Sequence, residues 1–150
     1  MLTLNDMDDR GLYRRVAIKA EPLDPAGLLA EVGRPDSGAT VLFLGTARDH
    51  SPGKDGVTHL DYEAYQELVE AKLDKVVDAA CESWPVLSIV VEHRTGRVEI
   101  EEASVAVAVS SAHREDAFAA ARFVIDTLKE SAPIWKRESW PGGAEWVEGA

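Results

Sequence analysis

The sequence is constrained most by three strongly apolar runs. They are ATVLFLGT at residues 39–46, VLSIVVEHR at 86–94 and SVAVAVSS at 104–111. Short apolar runs of this kind, bounded by turn signals, are typical of strands that lie inside a sheet. We therefore predict a buried strand at 39–46 and two largely buried strands at 86–94 and 104–111.

Two long helices are predicted between and after these strands. Residues 66–84 carry apolar side chains at spacings that line one helix face, and Pro85 ends the helix. A second helix is predicted from about residue 113 to 130, with Pro133 as its stop. The apolar stripes are Val69, Leu73, Val76, Val77, Ala80 and Trp84 in the first helix and Ala117, Ala121, Val124 and Leu128 in the second.

The remaining segments complete a mixed architecture. Strands joined by turns occur beside strands joined by helices, which favours an α+β fold over a doubly wound parallel sheet. With 150 residues and 45% hydrophobic content, we expect one domain at 1–150 around one core. The other predicted elements are an edge strand at 13–20, a helix at 25–32 begun by Asp24 and Pro25, a polar loop at 47–56, a strand at 57–64, a turn at Thr95-Gly96 and a hairpin in the tail at 135–149.

The composition excludes several classes of partner. A formal net charge of -11 argues against nucleic acid and against anionic membrane surfaces, because binding to either depends on Lys and Arg contacts. No stretch is apolar enough to cross a bilayer, and the N-terminal residues show no secretory signal. We therefore expect a cytoplasmic protein.

Neither a nucleotide cofactor nor a metal is expected. The segment from Gly45 to Arg48 follows a strand but lacks the glycine spacing that cradles phosphates. The four histidines include no pair with the spacing of metal ligands. Cys81, the single cysteine, excludes an intrachain disulfide, and its place on the apolar helix face predicts a buried, unreactive thiol.

Positive charge is concentrated in the last helix and the segment after it. Such a cluster in an acidic chain predicts an anion-handling site, with a solvated face as the alternative. After Arg97 the chain has five basic residues, and all of them lie on or just beyond this helix: Arg114, Arg122, Lys129, Lys136 and Arg137.

The neighbours of these cations leave two interpretations open for each. Arg122 and Lys129 are seven positions apart, so both could reach one ligand, but Asp126 could pair with either of them instead. Trp135 beside Lys136 could desolvate the ammonium, as proton transfer requires. Alternatively, the lysine stem covers the ring while its head stays in water.

Two further pairs of residues could contact an anion. His113 and Arg114 lie where the last helix begins, and the unpaired backbone N–H groups there favour a phosphate. The two acidic residues that follow could complement the helix dipole instead. Arg48 and His50 lie in the loop after the first apolar strand, from which side chains can reach a site at the sheet edge or remain on the surface.

Six short segments occur in an order that is typical of one protein family. They are FLGTARDH (43–50), LDYEAY (60–65), EHRTG (92–96), SAHREDAF (111–118), DTLKE (126–130) and PIWKRE (133–138). Together they resemble the molybdopterin synthase catalytic, or large, subunit over about residues 38–148. Residues 1–37, an N-terminal strand and helix, are assigned only a structural role. The resemblance implies an α/β hammerhead-like fold with an additional antiparallel sheet.

The resemblance also implies an activity and its partners. The activity is that of a sulfurtransferase in molybdenum cofactor biosynthesis, which converts cyclic pyranopterin monophosphate to molybdopterin. Two sulfurs come from the C-terminal Gly-Gly thiocarboxylate of a small ubiquitin-like sulfur carrier. Two catalytic chains form a homodimer within a heterotetramer, with one carrier at each end. No cofactor is implied.

Residue roles follow from the same resemblance. Lys129 and Lys136 are the expected catalytic lysines, and the expected substrate contacts are Arg48, His113, Arg114 and Arg137, with His113 and Arg114 supplied across the dimer interface. The sequence departs from the family at two places. Glu101-Glu102 stands where relatives usually have a Gly-Glu turn, and Arg137 stands where lysine is frequent.

Two other functions are compatible with the residues alone. One is a non-catalytic module that binds a ubiquitin-like tail or a small phosphorylated ligand. The other is Schiff-base chemistry between one lysine and a carbonyl substrate. The presence of both Lys129 and Lys136 favours an enzyme over the binding module.

Overall fold

The computed structural model of the chain describes residue 3 and residues 6–149. In chain order its elements are β1 (Tyr13–Lys19), α1 (Pro25–Val32), β2 (Ala39–Thr46), β3 (His50–Ser51), β4 (Lys54–Asp55), β5 (His59–Ala64), α2 (Gln66–Ser83), β6 (Val86–Arg94), β7 (Gly96–Glu99), β8 (Ala103–Ser111), α3 (Arg114–Ser131), β9 (Ile134–Trp140) and β10 (Gly143–Glu148).

The first sheet has the strand order β1-β6-β8-β2 and packs between helices. β6 runs parallel to β1 and antiparallel to β8, and β8 runs antiparallel to β2. Because successive side chains point to opposite faces, Val91 of β6 packs with α2 and α3, whereas its neighbour Val90 packs with α1. The two strands predicted as largely buried, β6 and β8, are confirmed.

The prediction of a buried strand at 39–46 is correct for the strand and wrong for its burial. Every residue of β2 keeps some solvent exposure, because β2 lies at the edge of its sheet with β8 on one side. An apolar run indicates a strand, but it does not reveal whether a second strand covers its outer edge. The predicted edge strand at 13–20 is confirmed as β1.

The second sheet has the order β10-β9-β5-β7 and is antiparallel throughout. Its inner face adds Leu60, Val98 and Ile134 to the core beneath α2 and α3. The predicted tail hairpin is confirmed as β9 and β10. Two features were not predicted: β7 begins at Gly96, directly after β6, and the β3–β4 hairpin lies inside the predicted polar loop.

The helices follow the predicted caps and stripes closely. In α1 the Asp24 carboxylate accepts a hydrogen bond of 3.1 Å from the Gly27 N–H, and Pro25 takes the first helical position. α2 ends at Ser83 with Trp84 as its C-cap, and α3 begins after His113. Apart from Trp84, which is half-buried, the predicted stripe residues of α2 and α3 are buried.

The turn between β7 and β8 has an unusual backbone. Glu101 adopts a φ of 76°, and no other non-glycine residue within the described ranges has a positive φ. Its N–H donates a hydrogen bond of 2.8 Å to the Ala47 carbonyl. The turn therefore holds the base of the loop that carries Arg48.

Candidate active site

A cavity of about 240 Å³ lies between the two sheets. The first sheet contributes the ends of β2 and β8, the second contributes β5 and β9, and α3 contributes its last turn. The polar and charged side chains that line the cavity are Arg48, His50, Tyr62, Ser104, Lys129, Lys136 and Glu138. The structure therefore brings the two predicted lysines together with Arg48.

Lys129 reaches the cavity from the last turn of α3. Its neighbour Leu128 is fully buried in the core, so the helix is anchored one residue before the lysine. Unpaired carbonyl groups at a helix C-terminus favour a cation there. Lys129 is thus an ammonium group on a rigid element, at the rim of the cavity.

Lys136 and Glu138 reach the cavity from β9. Residues alternate between the faces of a strand, so these two share the inner face, opposite Tyr62 and Leu60 of β5. The Lys136 Nζ lies 3.7 Å from the Glu138 Oε2. Trp135 projects from the opposite face and is 40% exposed, so the ring is not placed to desolvate Lys136, which was one of the two interpretations that the sequence left open.

Glu138 is a buried carboxylate held by several donors. Its Oε1 accepts hydrogen bonds of 2.7 Å from the Lys54 Nζ and 3.2 Å from the Ser51 hydroxyl. Burial alone would raise the pKa of Glu138, but the Lys54 hydrogen bond and the charges of Lys136 and Lys54 outweigh it and lower this pKa. The carboxylate is therefore ionised at neutral pH and supplies a fixed negative charge beside Lys136.

A buried histidine lies behind the cavity wall. The His93 ring meets the Tyr62 ring edge to face, with 5.0 Å between centroids, and its Nδ1 donates a hydrogen bond of 2.7 Å to the Arg94 carbonyl. Burial, together with the charge of Lys129, lowers the pKa of His93 to about 4, against the opposing effect of that hydrogen bond. The imidazole is neutral at physiological pH, and burial raises the pKa of the Tyr62 phenol.

Arg48 enters the cavity from the connection between β2 and β3, and His50 enters it from the first position of β3. Ala47, at its base, is buried; its N–H donates a hydrogen bond of 2.9 Å to the Glu102 carbonyl. The His50 Nδ1 lies 2.8 Å from the Asp49 carboxylate. The loop base is thus fixed by backbone hydrogen bonds, while the Arg48 side chain remains exposed to a ligand.

Most of the chain matches one protein family. Residues 18–131 match the family model described as MoaE protein. The chain belongs to the MoaE protein family. This confirms the family predicted from the six sequence segments.

Individual members of the MoaE family are similar to the chain in sequence and in fold. A molybdopterin synthase catalytic subunit from Thermoplasma volcanium is 45% identical over 128 residues, which cover 85% of this chain and 93% of that protein. The crystal structure of molybdopterin synthase from Staphylococcus aureus superposes with a TM-score of 0.81 at 36% identity, covering 87% of this chain and 94% of that chain. This match confirms the α+β fold.

A more distantly related structure shares the fold of the chain. A structure described as a complex of subunits 1 and 2 of molybdopterin-converting factor from Helicobacter pylori gives a TM-score of 0.72 at 24% identity. It covers 88% of this chain and 89% of that chain.

Two residues predicted to bind substrate lie at the other end of α3. His113 and Arg114 line a separate cavity of about 350 Å³ at the helix N-terminus. At a rise of about 1.5 Å per residue, the backbone of Arg114 is roughly 22 Å from that of Lys129. A single chain therefore does not bring these residues to the Lys129 cavity.

Arg137 and Arg122 also lie outside the Lys129 cavity. Arg137 projects from the face of β9 opposite Lys136 and pairs in register with Trp146 of β10. Arg122 is 84% exposed, and its Nε lies 3.4 Å from the Asp126 carboxylate. Of the two interpretations of Arg122, the surface ion pair is the one observed.

Several features of the site were not predicted from the sequence. Glu138 ends the segment PIWKRE, but no role in the site was predicted for it. Lys54 lies in the predicted polar loop at 47–56. Cys81 was predicted to be buried but is half-buried, and burial raises the pKa of its thiol. It does not line the cavity.

Residue 3 and residues 6–149 contain neither a cluster of metal ligands nor a helix that could span a membrane. Among these residues, no group of three or more His, Cys, Asp and Glu side chains is arranged to hold a metal ion. No helix in the same ranges combines the length and the apolar character needed to span a bilayer.

Proposed function

We propose that this chain is the sulfur-transferring subunit of a molybdopterin synthase. It converts cyclic pyranopterin monophosphate to molybdopterin with two sulfurs from the C-terminal thiocarboxylate of a small ubiquitin-like carrier. One observation carries the proposal: in a chain of the MoaE family with a net charge of -11, Lys129, Lys136 and Arg48 converge on one cavity.

The cavity residues have complementary roles in this proposal. Lys129 and Lys136 stabilise negative charge that develops as the thiocarboxylate reacts with the pterin, because preorganised cations act most strongly where water is excluded. Arg48 binds the substrate phosphate, for which its planar guanidinium is suited. Glu138 places a fixed negative charge 3.7 Å from the Lys136 Nζ.

Sulfur reaches the cavity from outside the chain. Cys81 is the single cysteine, and it lies on α2 away from the cavity lining. Burial raises its thiol pKa and so reduces the thiolate needed for sulfur transfer. A carrier with a reactive C-terminal thiocarboxylate supplies the sulfur, because the Cys81 thiol is a poor sulfur donor.

The proposal includes the assembly and the compartment. His113 and Arg114 are substrate contacts that one chain supplies to the cavity of its homodimer partner. A small carrier subunit docks at each end of that dimer. The proposed compartment is the cytoplasm. Arg137 has no position in the Lys129 cavity and is left out of the proposed substrate contacts.

The decisive experiment combines the purified chain, the thiocarboxylated carrier and cyclic pyranopterin monophosphate. We expect a dithiolene product that is absent when the carrier ends in an ordinary carboxylate. Carrier binding without product would support the non-catalytic binding module instead. Trapping of a carbonyl substrate on the chain by borohydride would support Schiff-base chemistry.

A further inference from the structure

The β3–β4 hairpin places a further basic residue, Lys54, beside Glu138 at the catalytic cavity. Lys54, in β4, has a side chain that is only 13% exposed, and its Nζ forms ion pairs with Glu138 at 2.7 Å and Glu145 at 2.9 Å. The same Nζ lies 5.4 Å from the centroid of the Trp140 ring. Lysines are almost never buried unless they are paired, so these contacts define where the side chain lies.

The two oxygens of Glu138 have different neighbours. Oε1 accepts from both Lys54 and Ser51, whereas Oε2 lies 3.7 Å from the Lys136 Nζ. That distance is within the range of an ion pair but is longer than a hydrogen bond. Lys136 therefore experiences the field of the carboxylate without being bound tightly to it.

We propose that Lys54 is a positioning residue that occupies the Glu138 carboxylate and so keeps the Lys136 ammonium available to the substrate anion. The inference rests on the proposed function. Glu138 is 5% exposed, and a buried carboxylate without a partner is strongly unfavourable. Without Lys54, Lys136 is the lysine that remains beside Glu138, so the carboxylate draws this ammonium closer and takes up a proton at a higher pH. Both effects change the charge that the cavity offers to an anion.

The surroundings of Glu138 define which groups control its ionisation. Lys54 faces it from β4 and Lys136 from β9, while Tyr62 of β5 lies close enough for the charge of Glu138 to raise the tyrosine pKa. Glu145 of β10 pairs with Glu138 in register but is 58% exposed and bonded to Lys54. Lys54 is thus the partner that both hydrogen-bonds and charge-balances this carboxylate.

The test uses Lys54→Met, which keeps the apolar stem and removes the charge, and Lys54→Arg, which restores it. The first readout is the titration of the Glu138 carboxyl carbon by NMR, assigned with Glu138→Gln. We expect Lys54→Met to raise its midpoint by about 1 pH unit or more, because a neighbouring cation lowers a carboxyl pKa by roughly that amount. The second readout is the pH dependence of kcat/KM, whose acid limb should rise in parallel.

Lys54→Arg should return both readouts towards the parent values. Glu145→Gln is the matched control, because it removes the other ion pair of Lys54 and should leave both unchanged. If Lys54→Met does not fold, Lys54→Gln replaces it, since its amide can still donate to Glu138 without a charge. An unchanged carboxyl titration overturns the positioning role whether or not product forms. A shifted titration with unchanged turnover also overturns it, whereas absence of product from the parent chain counts against the proposed function alone.

Discussion

Replacing Glu101 with glycine should stabilise the folded chain. Glu101 has a φ of 76°, where a side chain crowds the backbone at a cost of about 1–2 kcal/mol. Glycine removes this strain but loses roughly 0.5–1 kcal/mol through the greater freedom of the unfolded chain. The side chain of Glu101 is exposed, so little packing is lost. We expect a net gain of about 1 kcal/mol in the free energy of unfolding, on the order of 2–4 °C in Tm for a chain of this size.

Thermal and urea unfolding of the parent and the variant measure this gain. Glu102→Gly is the matched control at the next position. Its Oε1 accepts a hydrogen bond of 2.9 Å from the Glu99 N–H and lies 3.6 Å from the Arg94 guanidinium, so this control should lose stability. A Glu101→Gly variant with unchanged or lower stability would refute the strain argument.

Two other predictions concern Cys81, which is half-buried, and His93, which is buried. Cys81→Ala should retain sulfur transfer in the conversion assay and lose about 1 kcal/mol of stability through packing alone; a folded variant that cannot transfer sulfur would require a persulfide on the chain. For His93, the folded pKa of about 4 lies below the ordinary histidine value of 6.5, so the unfolded chain binds the proton first as the pH falls. The contribution to stability is therefore complete above pH 6.5 and is lost between pH 6.5 and 4, by about 3 kcal/mol in total. His93→Gln should flatten the pH dependence of the free energy of unfolding over this window, and an unchanged slope would contradict the assignment.

The sequence predicts where the helices and strands lie better than it predicts which neighbouring elements cover them. Apolar periodicity correctly located α2, α3, β6 and β8, because burial imposes that pattern on the sequence. It could not show that β2 is a sheet edge, since exposure there depends on which strands are neighbours. β7 has four residues and only one buried side chain, Val98, which is too little for a periodic signal.

The site was predictable where it depends on residue type and not where it depends on long-range contacts. Lys129, Lys136 and Arg48 were identified from the charge cluster and from the quoted segments, and the fold brings them together. The Lys54–Glu138 ion pair joins residues 84 positions apart, so no local pattern reveals it. Trp135 is adjacent to Lys136 in sequence but lies on the other face of β9, so sequence adjacency alone could not decide between the two interpretations of Lys136.

The central claim is that the cavity around Lys129 performs the sulfur transfer. Its most direct test is conversion of cyclic pyranopterin monophosphate by Lys129→Ala, with the exposed Lys75 of α2 replaced by alanine as the matched control. Loss of one preorganised charge at a reacting centre typically lowers turnover by about 100- to 1,000-fold. We expect that loss for Lys129→Ala with folding and carrier binding intact, and parent activity for Lys75→Ala. Near-parent turnover by Lys129→Ala would contradict the claim.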